Sequence, residues 1–225
     1  MRGKLLVTFL LGTMAALADV CPTASLTSYE GLGTGGCTVT GLPFAGFNFT
    51  ALKVTGGATP VDPANITVTP IDPDVAAGLD FSSDGFDVGS GQFAQYQLSY
   101  SVDDPPIIHE FDLDLVDPVM PPGNITITTV ECLGAAFVET TCPTGITVTN
   151  TVSDNGIISV PSDNVSFAPV RTMGVLTTIT LDASAGGSAS FSSFGETAMV
   201  APEPWSILLT GSILLFLLLK HRLRS

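Results

Sequence analysis

Between residues 19 and 201 apolar and polar residues alternate with a period of two, and no apolar stripe recurs at three- and four-residue spacing. Such alternation marks strands with one buried face, because successive side chains on a strand point to opposite sides. Tyr96, Leu98, Tyr100 and Val102 alternate with Gln95, Gln97, Ser99 and Ser101; Phe111, Leu113 and Leu115 alternate with Glu110, Asp112 and Asp114. Further runs rich in Thr, Val, Ile and Phe cover 44–55, 66–69, 125–132, 146–152, 165–170, 175–181 and 188–194, separated by Gly, Pro, Asn and Asp. Nine or more short strands at this spacing predict an all-β ectodomain, an antiparallel β-sandwich or jelly roll. Eleven Phe residues within it supply much of the expected core.

Charge separates the chain into parts. Arg2, Lys4, Lys220, Arg222 and Arg224 lie at the ends, whereas 19–204 holds all 21 acidic residues against only Lys53 and Arg171, a formal charge of −19. Phosphate binding needs a basic face, so nucleic acid is excluded as a partner of this region. A mean hydropathy of +0.46 excludes disorder through polarity. The acidic residues are expected on the outward phase of several strands, which lets so charged a domain bury a core.

The ends read as addresses. Residues 1–18 form a signal peptide: Arg2 and Lys4, an apolar run, then Ala16-Leu17-Ala18 as the cleavage site for signal peptidase after Sec export. At the other end Pro202-Glu203-Pro204 precedes an apolar run at 205–219, expected to be a transmembrane helix, and a basic tail of Lys220, Arg222 and Arg224. Pro204 suits a first helical turn, and the cations hold the tail in the cytoplasm. Fifteen residues span about 22 Å against a hydrocarbon core of about 30 Å, which makes a marginal anchor.

This order of motif, short helix and basic end resembles a PEP-CTERM sorting domain over 202–225. The resemblance implies recognition by an exosortase, a membrane-embedded transpeptidase-like protease of bacteria that make extracellular polysaccharide. It further implies a single-pass inner-membrane intermediate, cleavage near Pro202–Pro204 and transfer to the cell surface or matrix. The interruption of the basic tail by His221 and Leu223 departs from the compact Arg run common in that family. An ordinary membrane anchor is the competing reading. Within 44–102 the order of short motifs also resembles ectodomains that commonly carry such signals.

Cys21, Cys37, Cys132 and Cys142 give an even count in an exported chain, hence two disulfides. Of three connectivities, Cys21–Cys37 with Cys132–Cys142 is favoured because it closes short local loops.

Chemistry is sparse. His109 is the only histidine of the ectodomain, no G-x-S-x-G elbow exists, and a solvated strand-end role is expected for it. Asp80, Ser82 and Asp84 stand at positions one, three and five of a calcium-type loop with Gly85 at six and Asp87 close by, but Gly91 occupies position twelve, where a bidentate Glu is required. Asp72, Asp74, Asp103, Asp104, Asp112, Asp114 and Asp117 could serve other oxygen cages. Turn chemistry explains most Asp-Gly and Asp-Pro pairs equally well. The glycine-rich fragment at 31–36 reads as a flexible turn, and Asn65, Asn124 and Asn164 each follow a proline into a strand.

The resulting expectation is a non-enzymatic surface or matrix protein without a required cofactor. The alternative is a Ca²⁺-assisted module that binds extracellular polysaccharide, and a hydrolase comes last. The sorting reading predicts that mass spectrometry of the mature surface form finds neither 1–18 nor 205–225; retention of 205–225 contradicts it.

Overall fold

The computed structural model describes residues 19–72, 76–118, 123–157 and 159–201. The expected signal peptide, Pro202-Glu203-Pro204, the span at 205–219, the basic tail with Lys220, Arg222 and Arg224, Asp74 and the side chain of Asp104 lie outside the described residues. Among the described residues no helix is long and apolar enough to cross a membrane.

Two strands organise the chain: β7 (Phe93–Val116) and β11 (Ser162–Asp182), paired antiparallel over nearly their whole length. The alternating runs at 95–102 and 110–115 are thus one strand, as are those at 165–170 and 175–181. The register of the pair shifts between Ser166 and Val170 and again before Thr172, and such bulges bend a strand and sharpen its twist. On one side of the bend β7 is flanked by β11 and by β3 (Leu42–Thr55), with the hairpin partner β2 (Cys37–Val39) outside β3. On the other side it is flanked by β11 and by β13 (Ser193–Ala201).

Each half then extends outward. Beyond β11 lie β8 (Asn124–Leu133), β9 (Thr147–Asp154) and the short β10 (Ser159–Val160). Beyond β13 lie β5 (Ala76–Ser82), β4 (Thr67–Ile71) and the short β1 (Ala24–Ser25). The two expected sheets are therefore one antiparallel sheet of 11 strands, curled so that its two halves face each other. The fold is all-β and sandwich-like, as the alternation predicts. A separate ribbon joins β6 (Asp87–Val88) to β12 (Ala189–Ser190). The expected strand at 188–194 is broken between β12 and β13.

The inward phase is the expected one. Tyr96, Leu98, Tyr100, Val102, Phe111, Leu113 and Leu115 are all buried. Seven phenylalanines are buried, among them the stacked pairs Phe81–Phe194 and Phe86–Phe191, at centroid distances of 5.0 and 4.6 Å. Fully burying each contributes about 1.5–3 kcal/mol. One short helix, α1 (Leu26–Glu30), was not foreseen. Ser25 caps it by accepting from the Ser28 N–H, and Leu26 and Tyr29 seat it on the core.

The disulfides are Cys21–Cys37 and Cys132–Cys142, the favoured pairing. The proline–asparagine device holds at two of its three places. Asp62 caps a 3₁₀ turn, Pro63–Asn65, that leads into β4, and Asn124 begins β8. Asn164 instead lies inside β11.

Gly78 marks the closest approach between β5 and β13: a Cβ there would meet Glu196 O at 2.3 Å and Thr197 Cα at 2.9 Å, both backbone. Gly78→Ala is expected to cost about 1–3 kcal/mol through overpacking, read as a lower midpoint in chemical denaturation.

Candidate functional site

The calcium-type loop does not assemble into a cage. Asp80 lies on β5, accepts a hydrogen bond from Ser193, and has its pKa raised by burial. Ser82 donates to Thr67 O. Asp84 and Asp87 line a cleft of about 730 Å³ with Asp62 and Asn65, and Asp62 is engaged by the Ala64 N–H at 2.8 Å. Among the described residues no three His, Cys, Asp or Glu side chains gather as a metal site.

His109 is not at a strand end. It lies within β7, half-buried, and its Nδ1 has no hydrogen-bond partner among the described residues. Glu110, Asp112 and Asp114 occupy the expected outward phase. With Asp163, Ser162, Asn164 and Met199 they line a shallow acidic depression of about 390 Å³. Partial burial raises the pKa of Asp112 and Asp114, and neighbouring carboxylates add to the rise at Asp112.

The better-built concavity lies on the outer face of the other half of the sheet. Its volume is about 560 Å³. Asn48 on β3 stands opposite Ser99 on β7, with Gln97 one outward position further along β7. Among the described residues, no hydrogen bond engages the side chains of Asn48, Gln97 or Ser99. One wall carries Thr34 and Gly46, and the Gly46 N–H donates to Gly33 O at 3.0 Å. The glycine-rich fragment expected to be a loose turn is therefore tied to β3.

The opposite wall is the loop after β8, carrying Ala136, Phe137, Glu139 and Thr140. Cys132–Cys142 closes it, and Thr144 Oγ1 donates to Leu133 O at 2.8 Å. Val138 and Thr141 exchange two backbone hydrogen bonds of 3.0 Å, with Glu139 held at φ 55° between them. Phe137 rests on β11 at Gly174, where a Cβ would meet its N at 2.6 Å and its Cδ2 at 2.9 Å. Glycine is thus what lets the loop lie flat on the sheet.

The interior holds a second polar constellation. Glu131 on β8 and Glu196 on β13 are fully buried, and Asp154 nearly so, so the outward placement expected of acidic residues on several strands does not extend to these three. Glu196 Oε2 accepts from Tyr100 Oη at 2.8 Å, and its Oε1 accepts from Thr129 Oγ1 at 3.0 Å and from Thr177 Oγ1. Thr129 pairs across strands with Thr177 and with Asn150 on β9. Asn150 Nδ2 donates to Phe111 O at 2.8 Å. Both carboxyl oxygens of Glu131 and Oδ1 of Asn150 have no hydrogen-bond partner among the described residues.

Sequence reasoning missed this layer although its signal was present. Ile125, Ile127, Thr129, Glu131 and Leu133 share one phase of β8, and Phe194, Glu196 and Ala198 one phase of β13. A Glu in the apolar phase of a strand is the anomaly to look for.

No family model matches the chain, and no curated protein does. Among solved structures it is similar to TmCBM61 in complex with beta-1,4-galactotriose, at 9% identity and a TM-score of 0.34, covering 67% of this chain and 86% of that one. It is also similar to the enzymatically active domain of tailspike protein 4 of bacteriophage CBA120, at 12% identity and a TM-score of 0.28. That match covers 80% of this chain and 21% of that one. Likeness this loose carries nothing about ligand or activity, which have to be argued from the site.

Burial, together with the neighbouring charge of Glu196, pushes the Glu131 pKa up to about 9, from an ordinary 4.5. A carboxyl that holds its proton more tightly when folded stabilises the fold below its unfolded pKa and loses that contribution as pH rises to its folded value. In chelator, stability is therefore expected to fall between about pH 4.5 and 9, by up to about 1.4 kcal/mol per pH unit for this group. Glu131→Gln should flatten the slope in denaturation curves taken across that range.

Proposed function

We propose that the protein is an exported, non-enzymatic surface or matrix component that binds carbohydrate in the groove between the Phe137 loop and the outer face of β3 and β7. The observation that carries this reading is the row of unengaged polar side chains, Asn48, Gln97 and Ser99, along the groove floor. Sugar hydroxyls both donate and accept, and Asn and Gln side chains each offer an amide donor and a carbonyl acceptor. Phe137 on the wall gives an apolar surface for the C–H face of a pyranose. Strands and a disulfide-closed loop hold these groups in place, which reduces the ordering cost of binding.

Charge narrows the ligand. A domain of formal charge −19 repels uronate- and sulfate-bearing polymers, so a neutral glycan fits best. Hydrolysis needs two carboxyl groups flanking the scissile bond, and Glu139 is the one carboxylate among the residues lining the groove. Two disulfides fit an oxidising compartment. Sorting through Pro202-Glu203-Pro204 and the following segment would deliver the domain to a surface where polysaccharide accumulates.

Affinity electrophoresis in gels containing neutral galactans, glucans and mannans, beside alginate as an anionic control, tests the reading. The wild-type protein is expected to be retarded by at least one neutral polymer and not by alginate. Asn48→Ala with Gln97→Ala should abolish the retardation with the Tm unchanged. Retardation that survives the double variant, or its absence from every neutral polymer, overturns the proposal.

A further inference from the structure

Two carboxyl groups and an amide lie inside the sandwich with no counter-charge beside them among the described residues. Lys53 is exposed, 5.0 Å from the centroid of the Phe93 ring, and Arg171 is exposed on β11. Glu131 lies one inward position along β8 from Thr129, whose hydroxyl donates to Glu196 and whose cross-strand neighbour is Asn150. Tyr100 donates to Glu196 and pairs with Val175, which pairs in turn with Glu131. Glu131, Glu196, Asn150, Thr129, Thr177 and Tyr100 thus occupy two adjacent rows of the inner face and the strand opposite.

Buried polar atoms in folded proteins are almost always engaged, and one that is not calls for a water or an ion. Here three oxygens are orphaned together: both of Glu131 and Oδ1 of Asn150. All belong to fully buried side chains. With Glu131 ionised all three are acceptors only, beside a second carboxylate that three hydroxyls hold in place, so the missing partner is then a donor or a cation. With oxygen as the sole donor element, the set suits a hard divalent cation and not a soft one.

We propose that this layer is a structural site for a divalent cation of the calcium class, held between the two halves of the sheet by Glu131, Glu196 and the Asn150 carbonyl. The cation is taken up during folding in the exported compartment, because the site is sealed from solvent once β8 and β13 close on each other. The site is separate from the carbohydrate groove, which lies on the outer face of the same strands, and does not depend on that reading.

The test uses the exported protein unfolded in chelator and refolded in excess Ca²⁺, Mg²⁺, Mn²⁺ or chelator alone. At pH 8.5, refolding in Ca²⁺ at about 100 times its Kd is expected to raise the Tm by about 5–10 °C over chelator. Elemental analysis after desalting should find one equivalent of metal per chain. Glu131→Gln, close to the protonated side chain in shape, should fold in chelator and lose both the metal and the Tm gain. Asp112→Asn with Asp114→Asn, on the acidic outer face, should keep both. The proposal is overturned if Tm at pH 8.5 is the same in all four conditions and no metal is retained, as an internal water would give. A gain that survives Glu131→Gln, or disappears with Asp112→Asn and Asp114→Asn, places the cation elsewhere and overturns it too.

Discussion

The pairing of β7 with β11 is the interaction on which the rest of the structure depends. Each strand serves both halves of the curled sheet, so their shared register fixes every other strand. The inward residues of β7 before its bend contact the interior polar layer through Tyr100. The outward residues of the same stretch, Gln97 and Ser99, form the groove floor. Because the side-chain period is two, a slip of one residue would move the buried aromatics to the surface and the groove amides to the core. Site and core are thus two faces of one register.

That coupling explains why a strongly acidic chain folds into a sandwich. Along β7 beyond the bend, Glu110, Asp112 and Asp114 stand outside while Phe111, Leu113 and Leu115 stand inside. The exceptions are Glu131 and Glu196. Burying a carboxyl is unfavourable unless it is hydrogen-bonded, neutralised or paired with a cation. Glu196 answers with three hydroxyl donors. Glu131 has none among the described residues, which leaves protonation or a cation to accommodate it.

The class of fold was legible in the sequence because alternation reports burial directly, and the cysteine spacing favoured the pairing that formed. The continuity of β7 through Asp103–Ile107 and of β11 through Phe167–Thr172 was not legible, since bulges at those points interrupt the alternation without ending the strand. The groove was hidden for a different reason. Asn48 and Gln97 look like ordinary outward residues, and only the fold brings them beside a loop that begins after Leu133, far along the chain from both. Gly174 carries no sign in the sequence that a phenylalanine will rest on it. Glu131 and Glu196 could have been found by asking which phase of each strand they occupy. Overall charge obscured them, because two acidic residues among 21 attract no notice.

Where a sugar meets this surface decides whether the groove is a binding site. The most direct measurement is the NMR spectrum of the ectodomain titrated with a neutral oligosaccharide released from a polymer that retards it. Binding in the groove predicts that the side-chain amides of Asn48 and Gln97 and the backbone amides of 136–140 shift together at one midpoint, while those of Glu110, Asp112 and Asp114 stay fixed. Shifts confined to the acidic face, or to the cleft lined by Asp84 and Asp87, would contradict it.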